Sequence, residues 1–267
     1  MKNILSKIYI HPIFIIVVFI FMLIGRFKLI SYFMLLITVH ELGHIITSFI
    51  FNWKIKKIII LPFGGLTKYE IPINTPIIEE LFVGISGILF QIIFYLLFKN
   101  NISYKYFSYI NYFIIIFNLI PIYPLDGSKI INALLSYFIS FKKCLKLNII
   151  ISYIFITICI LLSFKVNKLF IIVFIFLLIE VYRNSQNINI IFNKFLLERY
   201  IKKYKFNKRI KINNINNMRK DFRHLIKKDG KYETEYTFLH KMFDNNHNLW
   251  YHFKRVGPHS TTTQKRF

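Results

Sequence analysis

The chain has 267 residues, 55% of them aliphatic, aromatic or cysteine, with a mean hydropathy of +0.48. Its 36 Lys and Arg against 12 Asp and Glu give a formal charge of +24. Apolar residues bunched this densely exclude an ordinary soluble domain, and Cys144 and Cys159, two and far apart, exclude a disulfide framework.

A helix needs about 20 mostly apolar residues to cross a bilayer, and six runs are read as spans: residues 10–24, 29–51, 77–98, 106–122, 147–164 and 169–182. Gly25-Arg26-Phe27-Lys28 follows the first run in place of a small-residue cleavage site, so that run is read as a retained helix. The expected fold class is an all-α polytopic membrane protein with about six transmembrane helices, a short membrane-associated β-hairpin and a small basic cytoplasmic C-terminal region.

The second run contains His40-Glu41-Leu42-Gly43-His44. A charge at the centre of a bilayer costs about 2.5–3.5 kcal/mol even on mild scales, so three such groups on consecutive turns need a common partner. His40 and His44 share a helical face and can grip one ion, with Glu41 beside them to handle water. Two histidines hydrogen-bonded to neighbouring helices are the plainer alternative. After this run, KIKKIIILPFGGLTKYEI (residues 54–71) is too short to span as a helix and reads as strand, turn and return strand. Its IIILPFGG stretch is either an edge to which an extended substrate adds, or a structural hairpin dipping into the membrane.

The third run opens with Glu79 and Glu80, favourable at a helix N-terminus, and carries Gly84 and Gly87, small enough for close helix approach. The fourth ends in FNLIPIYPLDGSKI (residues 117–130), where Pro121 and Pro124 forbid a regular helix. A third zinc ligand has few candidates. Glu70, Glu79 and Glu80 sit near span boundaries and Glu180 lies beside Arg183, whereas Asp126 lies in irregular backbone at membrane depth, which lines protein cavities. A carboxylate suits zinc; the alternative for Asp126 is a turn residue before Gly127.

With the N-terminus cytoplasmic, inner segments before the tail carry ten Lys and Arg against six on the outer loops, which orients the chain. His40, His44 and Asp126 then fall at one depth near the cytoplasmic face. From residue 183 onward there are 20 basic and 6 acidic side chains. Phe192, Phe195, Leu196 and Tyr200 form one face of a basic helix suited to an anionic leaflet. The remainder shows no assignable core, its five histidines have no ligand spacing, and the final HSTTTQKRF reads as disordered.

HELGH, LPFGG and NLIPIYPLDG, in this order, together resemble the site-2 family of intramembrane zinc metalloproteases over residues 8–205. His11-Pro12 and FLLERY at 195–200 resemble its sporulation members most. The resemblance implies one Zn2+ held by His40, His44 and Asp126, with Glu41 as catalytic acid and base. Asn118 and Pro124 match positions near the active site, and Phe63, Gly64 and Gly65 belong to the substrate-binding stretch; Asn118 is the candidate second polar group at the oxyanion. Tyr123, Ser128 and Lys129 vary around PLDG and are expected not to touch the ligand.

The implied division is a protease domain at 1–183, a basic interfacial linker helix at 184–206 and a tail at 207–267 related to a nucleotide-sensing CBS domain. The implied partner is a protein substrate of the pro-sigma-K type, cleaved at the membrane around the forespore on its mother-cell side. A membrane-protein inhibitor, anionic lipid at the tail and an oligomer are compatible with this; nucleic acid is not expected. The competing readings are cleavage of a transmembrane anti-sigma factor and, from another class, a metal-binding transporter.

Overall fold

The computed structural model describes residues 7–10, 12–61, 64–99, 106–168, 170–202, 204, 206–228 and 230–244. Phe63, His11 and the histidines at 247, 252 and 259 lie outside the described residues, as does the final HSTTTQKRF.

The hairpin forms where the sequence places it. β2 (Lys54–Leu61) and β3 (Gly64–Glu70) pair antiparallel, with Ile59 opposite Leu66, Ile58 opposite Thr67 and an irregularity between Ile55 and Lys57. A short strand, β1 (Ile8–Ile10), joins the other side of β2 in parallel, so the order β1-β2-β3 leaves β3 at the edge among the described residues.

Three helices are long and apolar enough to cross a membrane: α2 (Phe27–Ile50), α3 (Ile77–Phe98) and α6 (Phe141–Val166). A fourth crossing arises if α7 (Phe170–Gln186) and α8 (Ile188–Ile201), bent by 49°, count as one. The other two runs are shorter. α1 (Pro12–Leu23) has 12 residues and α4 (Phe107–Leu119) has 13, about 18–20 Å of helix against a hydrocarbon core of about 30 Å. By length alone, three of the described helices can cross unaided, or four if the bent pair counts as one. For α4 the cause is local: the chain breaks at Ile120–Leu125, with Pro121 and a cis Tyr123–Pro124 bond, and restarts as α5 (Asp126–Phe138). The irregular backbone expected through residue 130 therefore ends at Leu125, and the helix resumes at Asp126.

Many large apolar side chains on these helices face outward, among them Ile16 and Phe19 on α1, Ile93 and Leu97 on α3 and Leu161 and Leu162 on α6. An apolar surface this extensive is the surface that lipid covers. Inside, α2 packs on α3, α3 on α5 and α6 on α7. The first contact is close because of Gly43: a Cβ there would lie 2.6 Å from the Ser86 carbonyl oxygen.

The tail folds. β4 (Lys208–Ile212) pairs parallel with β5 (Phe222–Lys228), β6 (Lys231–Thr234) pairs antiparallel with β5, and α9 (Glu235–Asp244) packs beneath. Its few apolar residues suffice because α8 and α6 lend theirs: Phe141, Phe192, Phe195, Leu196, Ile212, Met218, Ile226, Leu239 and Phe243 form one cluster. The face of α8 expected to lie on lipid is therefore buried under the tail, while Lys194 and Lys202 stay exposed.

Polar bonds fasten α8 and the tail to the start of α3 and the segment before it. Glu198 accepts from the backbone N–H groups of Ile73 and Asn74, and Asp221 accepts from that of Ile77 at 3.0 Å. A helix start lacks intrahelical partners for its first N–H groups, so the tail supplies a cap that the α3 sequence lacks. Lys220, 2% exposed, pairs with Glu80 in the first turn of α3.

Candidate zinc site

α2 puts His40, Glu41 and His44 on its buried face, and the restart at α5 brings Asp126 opposite them. Asp126 Oδ2 lies 2.8 Å from His40 Nε2 and 2.9 Å from His44 Nε2, and the two imidazole nitrogens are 3.2 Å apart. All three residues are buried. Two glycines make room. A Cβ on Gly87 of α3 would fall 2.4 Å from His44 Nε2, and one on Gly127 would fall 2.2 Å from the Leu119 carbonyl oxygen, where the chain folds back between α4 and α5.

The donor chemistry can be tested for a metal. His44 Nδ1 donates to the Val83 carbonyl oxygen at 2.7 Å, and His40 Nδ1 faces Gln91 Oε1 at 3.1 Å. A backbone carbonyl only accepts, so His44 carries its proton on Nδ1 and turns the Nε2 lone pair inward. Two ring nitrogens and a carboxylate oxygen then point at one spot, acceptor against acceptor. Such a cluster needs a cation between its members. Bonds of about 2.0–2.1 Å in tetrahedral zinc place neighbouring ligands about 3.3 Å apart, close to the observed triangle. The residues fit zinc.

Glu41 sits beside this cluster against the hairpin. Thr67 Oγ1 donates to Glu41 Oε2 at 2.8 Å, and a Cβ on Gly65 would fall 2.2 Å from the Glu41 carboxyl carbon. Strand alternation puts Gly65 and Thr67 on one face of β3, so the edge strand holds the carboxylate. Of the expected substrate residues, Gly65 touches Glu41, and Pro124 follows the cis bond two residues before Asp126. Asn118 is buried on α4 and donates to the Ile114 carbonyl oxygen at 3.0 Å.

Lys129 corrects the sequence reading. Its Nζ donates to Asp126 Oδ1 at 2.7 Å, leaving Oδ2 for the histidines. One helical turn separates them, a spacing visible in the sequence. Thr67, Gln91 and Asn111 were also missed. Gln91 and Asn111 left a signal, as carboxamides within apolar runs; Thr67 had only its alternation with Gly65.

The profile of Peptidase family M50 matches residues 28–102 and 99–162. Stage IV sporulation protein FB of Bacillus subtilis (strain 168) is 33% identical over 214 residues, covering 74% of this chain and 73% of that protein. The chain belongs to Peptidase family M50. A zinc metalloprotease of Methanocaldococcus jannaschii is 33% identical over 122 residues, 42% of this chain and 35% of its own length. The solved site-2 protease from the same archaeon superposes with a TM-score of 0.53 at 26% identity, over 67% of this chain and 90% of that one. This M50 peptidase is an integral membrane zinc metalloprotease that acts on a protein substrate.

Proposed function

We propose that His40, His44 and Asp126 hold the zinc ion and that Glu41 is the acid and base of peptide hydrolysis. One observation carries this: two imidazoles from α2 and a carboxylate from the start of α5 converge, with Glu41 held beside them by an edge strand. Bound zinc supplies a Lewis acid that polarises a peptide carbonyl and acidifies water. Glu41 takes the proton of the attacking water and returns it to the departing amine. The Thr67 hydroxyl donates to Oε2 and so orients the Glu41 carboxylate for that proton transfer. Lys129 balances the Asp126 charge.

A peptide bond inside a helix has its carbonyl committed to hydrogen bonds, so the substrate must be extended first. The edge of β3 offers backbone partners to an added strand, which enters beside Gly65 and meets Glu41. Phe63, Gly64 and Gly65 are then the substrate-binding stretch, Pro124 belongs to the substrate site as well, and Asn118 is the further polar group at the developing oxyanion.

The substrate is a pro-sigma-K-type precursor, processed during sporulation at the membrane around the forespore on its mother-cell side. Similarity to the Bacillus subtilis sporulation protein over about three quarters of both chains supports this assignment. The six apolar runs cross as six spans, α1 and α4 with their flanking residues, and both termini are cytoplasmic. Residues 1–183 are the protease, 184–206 the linker and 207–267 a CBS-like tail, with anionic lipid held by its exposed Lys and Arg. A membrane-protein inhibitor and self-association belong to the same reading. Co-expression with a pro-sigma-K-type substrate tests it: the wild type should shorten the substrate and Glu41→Gln should not. Equal cleavage by both would refute the role of Glu41, and cleavage by neither would refute the substrate.

A further inference from the structure

The described residues hold a buried polar chain that the proposed reaction does not use. Gln91, on α3 and 0% exposed, places Oε1 3.1 Å from His40 Nδ1. Its Nε2 lies 3.2 Å from the backbone carbonyl oxygen of Asn111 on α4 and 3.1 Å from the Asn111 Oδ1. Asn111 is 1% exposed. Two carboxamides in the apolar middle of a membrane domain cost free energy unless their groups are paired, and here they are paired with each other and with a proposed metal ligand.

The direction of the chain follows from one atom. The backbone oxygen of Asn111 accepts and never donates, so the Gln91 NH2 must face it and Oε1 must face His40. An amide oxygen cannot donate either. His40 therefore carries its proton on Nδ1, and its Nε2 lone pair is directed at the Asp126 side of the cluster. His44 reaches the same tautomer through Val83, a main-chain oxygen that mutation leaves in place. The Ser86 hydroxyl, which donates to the same Val83 oxygen, lies farther from His44 Nδ1, at 3.5 Å, whereas the close partner of His40 Nδ1 is a side chain.

We infer that Gln91, anchored by Asn111, is a positioning residue that fixes the tautomer and ring orientation of His40 for zinc. This rests on the proposed reading of His40 as a ligand. Partners of this kind hold ligating imidazoles in register, and their loss costs metal affinity by about 10–100-fold.

The test follows zinc loss from full-length, zinc-loaded enzyme into excess EDTA. Gln91→Met keeps length and apolar packing but gives Nδ1 no oxygen, and should lose zinc about 10–100-fold faster than wild type. Gln91→Glu keeps an oxygen opposite Nδ1 in either protonation state, and a protonated carboxyl also donates to Asn111. It should stay within about threefold of wild type, a rescue that a packing role would not give. Asn111→Ala, which frees one of the two Gln91 anchors, should fall between and keeps the test alive if Gln91→Met does not fold. His40→Ala separates the two readings. Fast loss from His40→Ala with wild-type rates for Gln91→Met and Asn111→Ala overturns the positioning role alone, as does equal loss from the Met and Glu variants. Retention of zinc by His40→Ala overturns the ligand reading and this one with it.

Discussion

Gly65 and Gly84 are both glycines at crowded contacts, yet a methyl group would meet very different neighbours. At Gly65 it would overlap the Glu41 carboxyl at 2.2 Å, whereas at Gly84 it would stand 3.3 Å from a flexible Ile130 Cγ1. Gly65→Ala should therefore lower cleavage by more than tenfold with zinc content unchanged, because a shift of about 1 Å in a catalytic group costs on the order of 10²-fold. Gly84→Ala should stay within a few-fold. Parallel cleavage and zinc assays check this, and loss of zinc from Gly65→Ala would show that the glycine serves the fold instead. His40, Glu41, His44 and Asp126 were legible because ionisable groups are rare in apolar runs and each cost demanded a reason. Lys129 was not, since a lysine near a span end has water as an ordinary partner. Thr67 and Gln91 act through hydrogen bonds between elements: a carboxamide in an apolar run marks Gln91 as in need of a partner, but no local pattern says which partner either residue meets.

Among the elements, α3 links the tail to the site. Its first turn is capped by Asp221 and paired through Glu80 with Lys220, and further along it supplies Val83, Gly87 and Gln91 to the histidines. Lys220→Met leaves the largely buried Glu80 carboxylate unpaired and should weaken tail attachment by about 3 kcal/mol, read as faster hydrogen exchange in residues 208–244. Wild-type exchange there would mean the pair contributes nothing.

The tail also has a pH dependence of fixed sign. Burial would raise the Glu235 carboxyl, but the hydrogen bond from His224 and the charge of Arg199 outweigh it and hold the carboxyl below its ordinary range. Burial, with Arg199 beside it, holds His224 below an ordinary imidazole. In both cases the unfolded chain binds protons more readily, so tail stability is full above about pH 6.5 and falls as the pH drops, first through His224 and then Glu235. Exchange protection in residues 222–244, corrected for intrinsic rate, should decrease on acidification; constant or rising protection would contradict this. The hairpin was readable from its turn glycines and the long helices from their length. The core under α8 was not, because an amphipathic basic helix suits a lipid surface and a protein surface equally, and only the folded tail decides which covers it.

For the whole molecule, the outward apolar surface and the buried cluster near Asp126 describe a protease whose reactive groups are screened from lipid by its own helices. Six apolar runs were visible, yet their helices differ in length, and for α4 the cause is the proline-broken segment that turns the chain to Asp126. Reconstitution in vesicles with cysteine labels should report the hairpin turn and both termini on one side, and labels on opposite sides would contradict the proposed six crossings.

The most direct test is the zinc content of purified full-length protein in three forms. Wild type and Glu41→Gln should each carry one zinc per chain, and Asp126→Ala should carry close to none. Full zinc in Asp126→Ala, or its loss from Glu41→Gln, would contradict a site built from His40, His44 and Asp126 with Glu41 free for chemistry.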